Sequence, residues 1–132
     1  MANVSATVGP VNLKNDTGVA HDVSAIIGFS GGVVGSMVIG LNKLVALRIV
    51  AAFSGSEQPI DSPDFADAIG ELANMIAGSA KKDMGVVASI SVPTVVIGPA
   101  HHTMRLSGIP CVVIPCKTPL GDFEVEVNIK AA

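Results

Sequence analysis

From Val23 to Asn42 the chain reads VSAIIGFSGGVVGSMVIGLN, a run with no charged residue. It must bury its apolar side chains and pair its backbone, either as one membrane-spanning helix or as strands in a sheet. Its length reaches the threshold for a span, and Gly28/Gly32 and Gly31/Gly35 have the G-x-x-x-G spacing of packed membrane helices. The glycines and serines, however, make the run only weakly hydrophobic. Two β-branched-rich segments, DVSAIIGF and VVGSMVIG, flank SGG, whose glycines supply the positive φ of a tight turn. The run therefore predicts a β-hairpin and no membrane insertion. Neither face is consistently polar, so both strands are expected to be largely buried.

Two helices should follow. In NKLVALRIVAAFSG, Asn42 stands at a capping position and Gly55 where a left-handed terminating glycine belongs. With only Lys43 and Arg48 charged, most of this helix's circumference is expected to be covered. After the polar loop SEQPIDSP, Ser62-Pro63 forms a cap plus first-turn proline and opens a helix to about Lys82. Phe65, Ile69, Leu72, Ile76 and Ala80 form a core stripe at helical spacing. Asp67, Glu71, Asn74, Gly78 and Lys81 form a second stripe, with acidic residues early and Lys81-Lys82 last, as the helix dipole favours. Gly70, Ala73, Ala77 and Gly78 keep this rod thin, so that another surface can approach it.

The last third reads as strands: ASISVPTVVIG, then HHTMRLSGIPCVVIP with a bend or bulge at Gly108 and Pro110, then GDFEVEVNIK. In the last of these, Phe123, Val125, Val127 and Ile129 point to a core. Asp122, Glu124, Glu126, Asn128 and Lys130 point to water. Residues 1–20 predict a loop or edge strand. The order implies an α/β (α+β) sandwich, a mainly antiparallel sheet covered by two helices. At 132 residues, the chain is one domain spanning 1–132.

Composition removes several functions. Charged residues make up 14% of the chain and hydrophobic ones 49%, which points to apolar surface that meets a partner or a second copy. A net charge of −3 without a basic cluster, and aromatics limited to four Phe, give no footprint for nucleic acid. Cys111 and Cys116, five apart on an extended segment, lie roughly 16 Å apart on opposite faces, beyond the reach of about 7 Å for a disulfide. Buried free thiols and the absence of a basic-then-apolar leader fit a cytoplasmic protein. His101-His102 would point to opposite faces of a strand, and no three-ligand cluster stands at a recognisable spacing, so no metal of the chain's own is expected. GFSGGVVG lacks the Lys-Ser/Thr of a phosphate loop, and Ser30, though spaced as G-x-S-x-G, falls in the expected hairpin turn and not in the strand-to-helix elbow of a hydrolase.

What remains is Glu71 with Asn74, two polar neighbours on one helix face amid AIGELANMIAG. Spacing alone leaves a solvated helix face as a full explanation. The surrounding residues add more. DAIGELANMIAG resembles the active-site helix of the CheC/CheX/FliY phosphatases of bacterial chemotaxis, and is closest to the CheX branch. The family signature, an acidic residue or serine followed by Glu and Asn, is met by Asp67, Glu71 and Asn74. SAIIGFSGGVVGSMVIGL is similar to that family's first hairpin, VALRIVAAFSG to its next helix and PTVVIG to the strand after the catalytic helix, so the likeness covers roughly residues 20 to 130. The chain has one E-x-x-N where CheC proteins have two, and residues 1–20 show no amphipathic pattern for the N-terminal helix usual in the CheX branch.

The resemblance implies a phosphatase acting on the aspartyl-phosphate of a CheY-type response regulator, with Mg²⁺ supplied by that phosphorylated partner. It implies that Asn74 orients the attacking water and that Glu71 pairs with a lysine of the regulator. Asp67, Gly70 and Gly78 would line the docking face, and a homodimer would be the working form. A non-catalytic receiver-domain adaptor or motor-switch-like module could use the same helix to dock. Docking alone, though, does not require a carboxamide at position 74.

Overall fold

The computed structural model describes residues 7–8, 12–13, 21–83, 87–101 and 111–131. In chain order the elements are β1 (Thr7–Val8), β2 (Asn12–Leu13), β3 (His21–Gly31), β4 (Val33–Leu41), α1 (Lys43–Ser54), α2 (Pro63–Asp83), β5 (Ala88–Ile90), β6 (Thr94–His101), β7 (Val112–Thr118) and β8 (Gly121–Ala131). The uncharged run is the β3–β4 hairpin, paired from Val23↔Leu41 to Phe29↔Gly35 and turning at Gly31, whose φ is 93°. Its strands are largely buried, as their composition predicts. No helix among the described residues is long and apolar enough to cross a membrane.

One antiparallel sheet runs β1-β7-β8-β4-β3-β5, with β2 also on β7 and β6 also on β3. Period-two alternation along β3 sends Val23, Ala25, Ile27 and Phe29 to one face, where α1 and α2 pack in a single core with Met37, Ile39, Leu41, Phe123 and Val125. Gly35 is required where β4 meets β8. Its φ is 139°, and a Cβ there would fall 1.9 Å from the Asn128 carbonyl oxygen.

Both helix starts match their sequence signals. Asn42 Oδ1 accepts from Val45 N at 2.9 Å, and Asp22 Oδ2, from the start of β3, accepts from Lys43 N at 2.8 Å. Ser62 Oγ accepts from Phe65 N at 3.1 Å. Gly55 ends α1 at φ 83°, donating its N–H to the Ala51 carbonyl. Cover on α1 is less complete than its composition suggests, because Leu44 stands 56% exposed.

Three sequence expectations need correction. Glu126 and Asn128 are each only 5% exposed, so the polar side of β8 does not simply face water. β8 lies between β4 and β7, Val38 and Val113 flank Glu126 in register, and Val38 and Ser24 are themselves buried. Alternation identified the face but not its cover. Secondly, ASISVPTVVIG is no continuous strand. β5 and β6 follow the same edge of β3 and are separated at Ser91–Pro93, where Pro93 has no N–H for a ladder. Ser91 holds the break, its N–H donating to the Gly28 carbonyl at 2.9 Å and its Oγ accepting from Gly28 N at 2.9 Å. Thirdly, β7 runs through Pro115 to Thr118. Pro115 is tolerated because it falls between the residues paired by β1, Cys116 and Lys117, and those paired by β2, Val112 and Val113. The bend expected at Gly108 and Pro110, and His102, lie outside the described residues.

Cys111 and Cys116 are free and buried, as expected. Burial raises the Cys116 thiol above its usual 9.0, which keeps it protonated and unreactive at neutral pH.

Candidate functional site

α2 is anchored by one side. Phe65, Ile69, Leu72, Ala73 and Ala77 are each no more than 3% exposed, while Ile76 and Ala80 pack at the margin of the core. At 100° per residue, that anchoring fixes the opposite arc, and Asp67, Glu71, Asn74 and Gly78 occupy it. Asp67, Glu71 and Asn74 are exposed and Gly78 is half-buried with nothing near its Cα hydrogens, so the stripe stands on a convex rod. Glu71 and Asn74, three apart, have Cβ atoms about 5–6 Å from each other. A carboxylate and a carboxamide thus project together: the first attracts a cation, and the second both donates and accepts hydrogen bonds.

Gly70 is the exception among the proposed docking residues. It is buried, and a Cβ there would lie 3.3 Å from Pro93 Cγ and 3.9 Å from Val95 Cγ2. The surface its smallness admits is the chain's own β5–β6 break, not an incoming one. Ala73 and Ala77 likewise serve the core. Seating Pro93 against Gly70 brings the break alongside α2 one residue from Glu71 and one turn from Asn74, with Val92 next to it 85% exposed. Met75, 42% exposed, adds an apolar side chain on the other flank. Sequence reading passed over Met75 and Val92. The signal for Met75 was its place four residues from Glu71 on the polar side of the helix.

Folding also assembles a group that linear spacing hides. One ligand atom each from His21, Glu124 and Glu126 lie within 4.8 Å of one another, although His21 is more than a hundred positions from the two glutamates in sequence. No sequence spacing marks these three residues, and they come together only in space. His101 stands in register with His21 on the backbone.

Residues 23–117 match the family model described as Chemotaxis phosphatase CheX, which is well over half of the chain. The chain belongs to the CheX family. The CheY-P phosphatase CheX of Thermotoga maritima is 28% identical over 122 residues, 86% of this chain and 75% of that protein. The crystal structure of the chemotaxis protein CheX from Desulfovibrio desulfuricans is 32% identical and superposes with a TM-score of 0.86, covering 100% of this chain and 89% of the other. A complex of CheX with CheY, BeF3 and Mg²⁺ from Borrelia burgdorferi contains a chain 25% identical, with a TM-score of 0.74 and coverage of 98% and 86%. The fold is thus that of CheX proteins: an antiparallel sheet with two helices on one face.

Proposed function

We propose that this CheX-family chain accelerates hydrolysis of the aspartyl-phosphate of a CheY-type response regulator. The observation that carries this reading is the exposure of Glu71 and Asn74 side by side on a helix whose other face is locked in the core. The Borrelia relative, solved with CheY, BeF3 and Mg²⁺, supports it: BeF3 imitates a phosphoryl group, and the Mg²⁺ is read as the regulator's. In the reaction, water attacks phosphorus in line, the bond to the aspartate oxygen breaks, and phosphate leaves as the carboxylate is restored. Such a transfer needs positioning and charge stabilisation more than covalent help. Asn74 accepts a hydrogen bond from the attacking water and donates one to a phosphoryl oxygen, without titrating. Holding the water in this way can lower the barrier by several kcal/mol.

Glu71 pairs with a lysine of the regulator. Asp67 and Glu71, one turn apart, repel each other by roughly 0.2–0.5 kcal/mol in the free helix, a cost that a cationic partner reverses. Asp67 and Gly78 extend the contact along the rod, while Gly70 acts indirectly by seating Pro93. The regulator brings Mg²⁺, and the reaction runs in the cytoplasm. A homodimer is supported by edge strand β6, where Val96 and Ile97 are 37% and 40% exposed.

Phosphate release from a phosphorylated CheY-type regulator tests the assignment. Asn74→Ala should remove the acceleration while leaving affinity for the BeF3-loaded regulator nearly intact. Glu71→Ala should weaken binding and lower the rate. Full activity in Asn74→Ala would replace catalysis by the adaptor reading, in which α2 only docks.

A further inference from the structure

On the sheet face away from α1 and α2, three strands bring a histidine to two carboxylates. Glu124 and Glu126 alternate with the core residues Phe123 and Val125 on β8, so both point to that outer face. His21 begins β3, two strands away, with β4 in between. Two inter-strand spacings make about 9.6 Å, too far for an imidazole and a carboxylate to meet unless the ring can lie flat across the intervening strand. Gly40 of β4 allows this. It pairs with Glu124, and a Cβ on it would come 2.4 Å from the His21 ring. The ring is therefore seated on a bare Cα, with Nε2 3.5 Å from Glu124 Oε2. Glu126 completes the group, all three ligand atoms lying within 4.8 Å of one another.

We propose that His21, Glu124 and Glu126 bind a divalent transition-metal ion of the zinc type, at a site separate from the Glu71/Asn74 face. Around tetrahedral zinc, with bonds of about 2.0–2.2 Å, neighbouring ligand atoms are roughly 3.4 Å apart. The His21–Glu124 separation of 3.5 Å already has that value, and rotation of the Glu126 side chain closes the remainder. A neutral imidazole with two carboxylates balances the charge of the ion at positions where His21 and Glu126 are each 5% exposed. Imidazole ligation favours Zn²⁺ over Mg²⁺ or Ca²⁺, which prefer oxygen alone. The fourth position is reached from outside. Glu124 and His21 line an open hollow of about 260 Å³ bordered by Asn42 and Asp122, which admits the ion and a water ligand. The bound ion would tie the start of β3 to β8 across β4, a structural role coupled to folding and not a step in phosphate hydrolysis.

The test is titration of chelator-treated, tag-free protein with ZnCl2 alone, followed by calorimetry and by thermal unfolding. One Zn²⁺ per chain and a higher melting temperature are expected, with no comparable response to MgCl2. Co²⁺ should give the visible absorption of a tetrahedral site. Glu124→Gln keeps the shape of a side chain that is 26% exposed, so the fold, checked by circular dichroism, should persist while zinc affinity falls at least tenfold. His21→Asn should lose binding, and a His101→Ala/His102→Ala double variant should retain it. Failure of the folded protein to take up Zn²⁺ would overturn the proposal. So would stoichiometric uptake that survives Glu124→Gln and Glu126→Gln.

Discussion

Gly70→Ala asks whether this glycine serves the chain or its partner. A mid-helix glycine costs about 1 kcal/mol relative to alanine, so the exchange begins with that gain in α2. Against it stands one tight contact: the new methyl would lie 3.3 Å from Pro93 Cγ, with Val95 Cγ2 at an ordinary 3.9 Å. The conflict is a few tenths of an ångström, and it falls on the half-buried ring of Pro93, which has no N–H to pin it to a ladder. A small shift of Pro93 relieves it, and the methyl is then largely withdrawn from water. The net expectation is stabilisation by about 0.5–1 kcal/mol, or a rise in melting temperature of roughly 2–4 °C for a domain of this size. Urea and thermal unfolding would measure it, with Gly70→Leu for comparison. That larger side chain must displace Pro93 outright and should destabilise by about 1–3 kcal/mol. Phosphate release by Gly70→Ala should stay within about twofold of the parent, the rate ratio of a barrier change near 0.4 kcal/mol. Destabilisation of the alanine variant by more than 1 kcal/mol would show that Pro93 cannot give way, refuting the account of the seam. Stabilisation combined with lost activity would restore Gly70 to the docking surface.

Asn42→Ala removes the acceptor for Val45 N and should cost about 1 kcal/mol in chemical unfolding, while Asp22, which still accepts from Lys43 N, keeps α1 from fraying further. Asn42→Asp should be nearly neutral. Light scattering should find a dimer at micromolar concentration, and charged substitutions at both Val96 and Ile97 should shift it to monomer without unfolding it. A parent protein that is monomeric under those conditions removes the dimer reading.

How much of this could be read from residues alone depended on whether the signal was local. The α1 and α2 boundaries are legible because Asn42, Gly55, Ser62 and Pro63 act within one turn of themselves. The hairpin is legible from its glycines, and the Glu71/Asn74 stripe from helical periodicity. What escaped depends on neighbours distant in sequence. Glu126 and Asn128 look wet by alternation and are buried, Glu126 between Val38 and Val113 from strands distant in sequence. Gly70 looks like open space and is filled by Pro93, twenty-three positions further on. The His21, Glu124 and Glu126 group cannot be found by spacing, because the residue that makes it possible is the missing side chain of Gly40.

The position of β8 also bears on how the chain matures on the ribosome. Strands β3 and β4 and both helices are complete by Asp83, yet the free edge of β4 is closed only by residues 121–131, which then also join β7 to the sheet. During synthesis at about 5–20 residues per second, that edge stays open for seconds while most of the apolar hairpin is already available for pairing. An unpaired edge is a template for other nascent chains. Ribosomes that stall shortly before Gly121 should therefore release an aggregation-prone fragment, and permuting the chain to place residues 121–131 ahead of β3 should shorten the exposure.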